Sequence, residues 1–437
     1  MNTQPKGFWS TSIIVGFALF SMFFGAGNII FPPYIGAVAG ESWFLGFIAY
    51  FFADIGLALL ALLAMLRSNV IDRFESIMAR LGPWPSRILM TGVMLSVCFI
   101  AGPRTGTVSF ELGLKPILGE SASLPLYSAF YFLAAWLLCV RENKMVDYIG
   151  KYLTPALVGG LLVIIVIGVV SPMGEISPEA KIDNIWYLGL MSGYQTLDVA
   201  VATIFAFVIS QDLSNKGYAT PEAKFKAVIS SALVVGVLML VVYGGLCYLG
   251  ATASMAYGAD VEHGTLVLAV FHALVGSGGV IALGFIATLA CLTTGLALMG
   301  ALATYLVRLS NGRLNYTVMV SVIAVAFALV ANLGLAAILA VAEPIILVLY
   351  PAVLVMICLS LFGDSIQNTN IFKVSVAFAL VFSVLDVMQN QGVAVAGTIA
   401  SFLPLQAHGF GWLLPAALGA GLGWLIKPRR AALSPGL

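Results

Sequence analysis

The sequence predicts an all-α membrane protein whose chain crosses a bilayer twelve times, and three observations predict it. Of its 437 residues, 61% are hydrophobic and only 9% are charged, where a soluble globular domain has about 25% charged residues. Mean hydropathy is +1.05. The apolar residues fall into runs of about 20, the length that carries a helix across the hydrocarbon layer. Those runs are apolar on every face and lack the alternation of barrel strands, so helices are the spanning structure. This composition excludes a cytosolic enzyme and a secreted domain. A formal net charge of +1 gives no basic excess for nucleic acid, and no obligate protein partner is expected. The five cysteines lie inside apolar runs without a CxxC pair and read as small buried hydrophobes.

In chain order the runs are 12–39, 43–66, 86–110, 124–140, 146–170, 186–210, 227–250, 276–306, 316–333, 335–361, 372–388 and 409–426. The first follows a single Lys6 and has no small-residue cleavage site, so it reads as a retained helix. With both termini cytoplasmic, every basic residue of the 20 except Arg104, Lys115 and Lys181 falls in an inner segment or at an inner helix end. Glu111, Glu120, Glu175, Glu179, Asp183, Asp260 and Glu262 fall outside. Residues 68–85 hold Ile71, Phe74, Ile77 and Met78 at helical spacing, which suggests an interfacial helix. The apolar stretch 390–406 reads as a surface helix.

Two runs are interrupted. The first reads Phe20-Ser21-Met22-Phe23-Phe24-Gly25-Ala26-Gly27-Asn28-Ile29-Ile30-Phe31-Pro32-Pro33. Its glycines weaken the helix, and its prolines cannot donate to the carbonyls of Asn28 and Ile29. Close approach of another helix is the competing explanation of the glycines. The sixth run contains Gly193-Tyr194-Gln195-Thr196-Leu197-Asp198, a polar string that is costly in lipid unless it meets a cavity. Interrupted segments at corresponding places in two halves are the sequence sign of a secondary transporter's central site. Breaks five helices apart imply a five-plus-five inverted repeat: 1–170 as the first repeat, 171–365 as the second, and 366–437 as two additional helices with a tail. At such breaks helix N-termini suit a carboxylate and free carbonyls suit an ammonium or sodium ion. The expected substrate-binding residues are therefore Phe24, Gly25, Ala26, Gly27 and Asn28 with Gly193, Tyr194, Gln195 and Thr196, the last three mainly through backbone.

The stretch Gly16 to Pro33 resembles the first helix of the bacterial branched-chain amino acid:cation symporters, the BrnQ-type carriers. Gly102-Pro103-Arg104-Thr105-Gly106-Thr107-Val108-Ser109-Phe110-Glu111 is similar to their third helix, and Gly193 to Asp198 to their sixth. The resemblance covers nearly the whole chain. It implies sodium-driven uptake of leucine, isoleucine and valine across a bacterial cytoplasmic (inner) membrane. It also implies the inverted-repeat fold, called LeuT-like, of the amino acid–polyamine–cation transporters. In that wider fold a sodium ion sits between the first and eighth helices. Here that implies Ala290, Thr293 and Thr294, which share one helix face, with the carbonyls of Ser21 and Phe24. Hard cations take oxygen ligands; back-bonding to the preceding turn is the other use of such hydroxyls.

Asp198, Arg104 and Glu343 are candidates for an ion or gating role, with Arg104 expected near the outer end of the third helix and Glu343 at a Pro344 kink. Asp54 reads as a structural strut. His263, His272 and His408 lack metal spacing and receive no role. The rival readings are a proton-coupled or exchange carrier for another hydrophobic amino acid or amine, and, more remotely, a channel. Neither a ring-forming pore motif nor HExxH is present.

Overall fold

The computed structural model describes residues 7–67, 77–140, 145–218, 220–391, 403–406 and 410–426. The chain divides into two compact units, residues 1–62 with 94–340, and residues 63–93 with 341–437. The helices are α1 (Phe8–Phe23), α2 (Ala26–Ala39), α3 (Trp43–Phe51), α4 (Leu57–Arg67), α5 (Pro83–Ser109), α6 (Lys115–Leu118), α7 (Leu124–Cys139), α8 (Met145–Tyr148) and α9 (Thr154–Val170). They continue with α10 (Ile185–Gln195), α11 (Asp198–Asn215), α12 (Pro221–Thr252), α13 (His263–Val275), α14 (Ser277–Leu309), α15 (Tyr316–Ala331), α16 (Leu335–Leu361), α17 (Thr369–Asn390) and α18 (Leu413–Leu425). Wide π-helical turns at Phe52–Gly56, Phe110–Leu114 and Ile149–Leu153 join α3 to α4, α5 to α6 and α8 to α9.

Among the described residues, eight helical stretches are long and apolar enough to cross a membrane, and five shorter apolar helices accompany them. Where they are described, the apolar runs read from the sequence are helical except at the two breaks, 24–25 and 196–197, and at a few run ends. Their division differs for two physical reasons. The first run is cut at Phe24–Gly25, which leaves α1 with 16 residues. Farther on, a tight turn at Gly40–Ser42 folds α3 back against α2, so that the Ile35 side chain lies against Gly46. Gly40 turns the chain there with φ +55, a conformation open to glycine at little cost.

In the larger unit α12 is the backbone of the packing. A Cβ on Gly36 would lie 1.9 Å from the Cys247 carbonyl oxygen, and one on Gly250 would lie 1.9 Å from that of Pro33. The α2 and α12 main chains therefore touch, as small residues permit in membrane bundles. Gly16 of α1 lies less tightly against the same helix, where a Cβ would stand 2.7 Å from Val234 Cβ and 3.1 Å from the Ser231 carbonyl oxygen. Residues 171–184 fasten the end of this pair. Glu41 donates its backbone N–H to the Ser177 carbonyl (2.9 Å), and Lys181 donates its own to Val38 (2.8 Å). The Lys181 ammonium also donates to the carbonyls of Ser254 and Tyr257, and burial lowers its pKa from the ordinary lysine value.

In the smaller unit α17 and α18 pack closely, and Ser375 donates its hydroxyl to the Ala416 carbonyl at 2.6 Å. Arg80 donates to the carbonyls of Ile366 (2.6 Å) and Gly363 (2.9 Å) while its guanidinium covers the Phe372 ring at 4.8 Å.

Three expectations need correction. Residues 263–275, read as part of an outer loop, form α13; at 13 residues it is too short to span, and it buries Leu266, Val267, Val270 and Phe271 along one side. Cys358 is exposed, unlike the other four cysteines, because an apolar residue on a helix can meet lipid as readily as a core. Within 68–85, residues 79–81 make a tight helical turn and α5 already begins at Pro83; residues 68–76 lie outside the described residues. So do residues 392–402 of the expected surface helix, and His408.

Candidate functional site

The first break forms where α1 stops at Phe23. Phe24 still donates to the Phe20 carbonyl (2.7 Å), but Gly25 is extended, with φ −108 and ψ −159. The new helix α2 is capped by its own Asn28, whose Oδ1 accepts the Gly25 N–H at 3.1 Å. The second break turns on Leu197, which has φ +73. A left-handed leucine costs about 1–2 kcal/mol; complete burial of its side chain helps to hold it. Asp198 then opens α11 as its first residue, where a carboxylate faces the positive helix end.

These two breaks meet. The Asn28 side-chain amide lies within donating distance of Asp198 Oδ2 (2.9 Å), Asp54 Oδ2 (3.2 Å) and the Tyr243 hydroxyl (2.6 Å). Thr196 donates its hydroxyl toward Asp54 Oδ1 at 2.8 Å, with the Gly193 carbonyl as its alternative at 2.7 Å. Asp54 sits in the π-helical turn after α3, and a wide turn of this kind re-aims side chains and is frequent at functional sites. Asp54, Asp198, Asn28, Thr196 and Tyr243 are all buried. Tyr50, one turn before Asp54, stacks its ring edge on Tyr243 with centroids 5.1 Å apart. Its buried hydroxyl has no hydrogen-bond partner among the described residues and lies within electrostatic reach of both carboxylates. Phe20, Phe24 and Tyr243 continue as a stacked aromatic wall, with centroids 5.2 and 6.1 Å apart.

A second cluster joins the end of α1 to α14. The Thr293 hydroxyl lies 2.8 Å from the Ser21 carbonyl oxygen, and that of Thr294 lies 3.3 Å from Ser21 and 3.1 Å from Met22. Thr293 also reaches the Ala290 carbonyl of its own helix at 2.9 Å. The two hydroxyl protons can serve the Ser21 and Met22 carbonyls one each. The Ser21 hydroxyl is buried and has no partner among the described residues. A group of neutral hard oxygens is the donor set that suits a monovalent cation. Among the described residues no group of three or more His, Cys, Asp or Glu is placed to hold a metal.

The expected site residues thus separate. Asn28, Thr196 and Asp198 come together at the breaks, and Gly25 brings α2 against Thr294, where a Cβ would stand 3.2 Å from its hydroxyl. Gly193 lets α10 press on the chain at Tyr50 and Asp54. Gln195 is exposed and outside the cluster. Ser21, Ala290, Thr293 and Thr294 come together, the Phe24 carbonyl is not among these contacts, and Met22 supplies an additional carbonyl. Arg104 is not at an outer helix end. The third helix runs on through its π-helical turn to Leu118, which leaves Arg104 inside the helix and within electrostatic reach of Asp198, Cys291 and Tyr50. Glu343 lies in α16 of the smaller unit, and its side chain is outside the described residues. Asp54, Tyr50 and Tyr243 were missed as site residues. Their signal in the sequence was an acid and tyrosines in otherwise apolar runs.

The surroundings of Gly27 and of the α2 residues after it are aromatic. The Phe31 ring stands over Gly27, 3.1 Å from where a Cβ would be. His263 of α13 packs on Tyr34 at 4.0 Å and on the Phe31 edge at 5.6 Å, and Tyr34 donates its hydroxyl to the Ala259 carbonyl at 2.9 Å.

A family model described as "Branched-chain amino acid transport protein" matches residues 9–430. The chain belongs to this family. Its members are transport proteins, not enzymes. Over 97% of this chain and 98% of the relative, it is 33% identical to the branched-chain amino acid permease BrnQ of Bacillus subtilis (strain 168). It is 31% identical to the branched-chain amino acid transport system 3 carrier protein of Pseudomonas aeruginosa, over 92% of this chain and 93% of that one. Among solved structures it is similar to MHP1, a nucleobase-cation-symport-1 family transporter, with TM-score 0.60, 12% identity, and 94% and 91% of the two chains covered. A Na+-coupled sialic acid symporter gives TM-score 0.54 and 13% identity over 97% of each chain. At these identities the likeness speaks for the fold alone: this family member has the all-helical architecture of those transporters.

Proposed function

We propose that this member of the family is a sodium-coupled symporter that carries leucine, isoleucine and valine into a bacterial cell by alternating access. The observation that carries the proposal is the pair of interrupted helices, α1–α2 and α10–α11, meeting beside a carbonyl and hydroxyl cluster on α14. The chain would span the inner membrane twelve times with both termini cytoplasmic, as repeats 1–170 and 171–365 followed by two further helices in 366–437. The substrate would lie against Phe24 to Asn28 and Gly193 to Thr196, with the aromatic wall of Phe20 and Phe24 favouring an apolar side chain.

Sodium would take oxygens from Ser21, Phe24, Ala290, Thr293 and Thr294. Its role follows from where the cluster lies. The Ser21 and Met22 carbonyls of α1 face the Thr293 and Thr294 hydroxyls of α14, and an ion there would fix α1 against α14. A ligand shifts a conformational equilibrium only through its differential affinity for the two states. If the ion favours the same state as the amino acid, each raises the affinity for the other.

The test is uptake of labelled leucine by proteoliposomes at fixed membrane potential, with and without a sodium gradient. Sodium-dependent, saturable uptake with counterflow is expected. In Thr294→Ala the sodium concentration for half-maximal uptake should rise at least tenfold with the protein still folded. Equal uptake without sodium overturns the coupling. One observation favours a second reading: Asp54 and Asp198, two carboxylates joined by one amide, also suit a proton. Uptake driven by a pH gradient alone would select a proton-coupled carrier, and unsaturable flux would select a channel.

A further inference from the structure

Arg104 is an unusual group to find in the middle of an apolar bundle. Its guanidinium makes neither a hydrogen bond nor an ion pair with any described residue, yet it is partly buried and lies within electrostatic reach of Asp198 and Tyr50. A cation held at membrane depth without a partner is expensive and marks a ligand pathway. Asp198 is its counterpart. Its Oδ2 accepts from Asn28, while its Oδ1 receives no hydrogen bond from a described residue.

At each break the start of the new helix is partly engaged. The Gly25 N–H at the start of α2 is taken by Asn28 Oδ1. The start of α11 bears Asp198 itself, and a carboxylate there repels a second one. A full positive charge open to an incoming carboxylate lies away from both helix ends, at Arg104. The planar fork of an arginine matches a carboxylate in two parallel hydrogen bonds.

Resting on the transport reading above, we propose that Arg104 and Asp198 are the two poles of the amino acid site. The Arg104 guanidinium receives the substrate's α-carboxylate, and Asp198 Oδ1 receives its α-ammonium group. Asn28, Asp54 and Tyr243 hold Asp198 in place, and the Tyr50 hydroxyl, which has no partner of its own, supplies a further donor between the poles. The side chain of the amino acid is then left to the aromatic wall, so the backbone of the substrate is read by charge and its side chain by shape.

The experiment compares three ligands on the purified full-length protein in sodium: leucine, leucinamide, which has no carboxylate, and 4-methylpentanoate, which has no ammonium. Each is measured by competition against labelled leucine, or directly by calorimetry. Wild-type protein should bind each analogue at least 100-fold more weakly than leucine. In Arg104→Gln, leucine should weaken about 100-fold while leucinamide changes less than threefold, so the preference between those two disappears. Asp198→Asn should erase the preference over 4-methylpentanoate instead. Arg104→Lys keeps the charge but not the fork, and should retain part of the preference. A sodium-induced rise in Tm in each variant reports that it is folded.

If folded Arg104→Gln still prefers leucine to leucinamide by the wild-type factor, the pole assignment is overturned. Should that variant not fold, the same unchanged preference in Arg104→Lys overturns it, because a point charge cannot replace the fork. Wild-type protein that binds no leucine at all would instead overturn the transport reading.

Discussion

Asn28 of α2 donates its side-chain amide to Asp198 of α11 over 2.9 Å, linking residues 170 positions apart in the chain. Through the same nitrogen it lies 3.2 Å from Asp54, and through its oxygen it caps the helix on which it stands. One neutral amide thus closes the first break, pins the second, and separates two carboxylates.

Asn28→Ala should therefore be costly out of proportion to its size. Removing the partner of a buried charge typically costs about 3–5 kcal/mol. The expected outcome is a lower Tm together with loss of leucine uptake, while Asn28→Asp, which adds a third carboxylate, should be worse than alanine. A thermal unfolding series across the two variants checks this, and wild-type stability in Asn28→Ala would show that the amide is not holding the carboxylates.

Gly27→Leu tests the room at the first break. Its Cβ would meet the Phe31 ring at 3.1 Å and the Thr196 methyl at 3.8 Å, a collision with side chains and not with main chain. The fold should survive and leucine binding should be lost, by calorimetry on protein that still elutes as a single species.

Gly36→Ala and Gly250→Ala predict the opposite pattern. In each a methyl would stand 1.9 Å from a main-chain carbonyl oxygen of the neighbouring helix, and no side-chain rotation relieves that. Overpacking typically costs about 1–3 kcal/mol and sometimes more; with two backbones forced apart, the upper end is expected. Folded yield and Tm should both fall, and neither should recover in excess sodium or leucine.

His263 gives a pH dependence whose sign is fixed. Its burial against Tyr34 and Phe31 lowers its pKa from the ordinary 6.5, partly opposed by Glu262. A lowered pKa means that the packed form binds fewer protons than the unpacked one, so stability rises with pH. The contribution is complete above about pH 6.5 and is lost as pH falls through the lowered value. Between pH 7 and pH 5 the wild-type Tm should fall more steeply than that of His263→Phe, which keeps the ring and removes the proton. Parallel pH curves for the two proteins would remove this role.

Much of the architecture was legible because bilayer physics writes it locally. Runs of apolar residues give the helices, Gly25 with Gly27 gives one break, and Gly193 to Asp198 gives the other. The hydroxyls at Thr293 and Thr294 were legible because position on a helix face follows from spacing alone. What escaped was long-range. Nothing in the run around Asp54 says that it faces Asn28, 26 residues away, or that Tyr243 closes the same cluster from α12. Arg104 was misplaced because the π-helical turn at Phe110–Leu114 and the extension to Leu118 lengthen its helix, and α13 was missed because 13 mixed residues do not make a spanning run.

Both halves of the interrupted first helix lie on one unbroken neighbour. Gly16 seats α1, and Gly36 seats α2, on a 32-residue α12 whose own Gly250 returns the contact. The interruption is thus splinted like a fracture: the gap at Gly25 cannot be bent shut without prying a long rod away from two seats at once. Whatever swings during a transport cycle, the cradle at the gap should travel as a rigid piece with α12, and motion should be sought where α14 meets it.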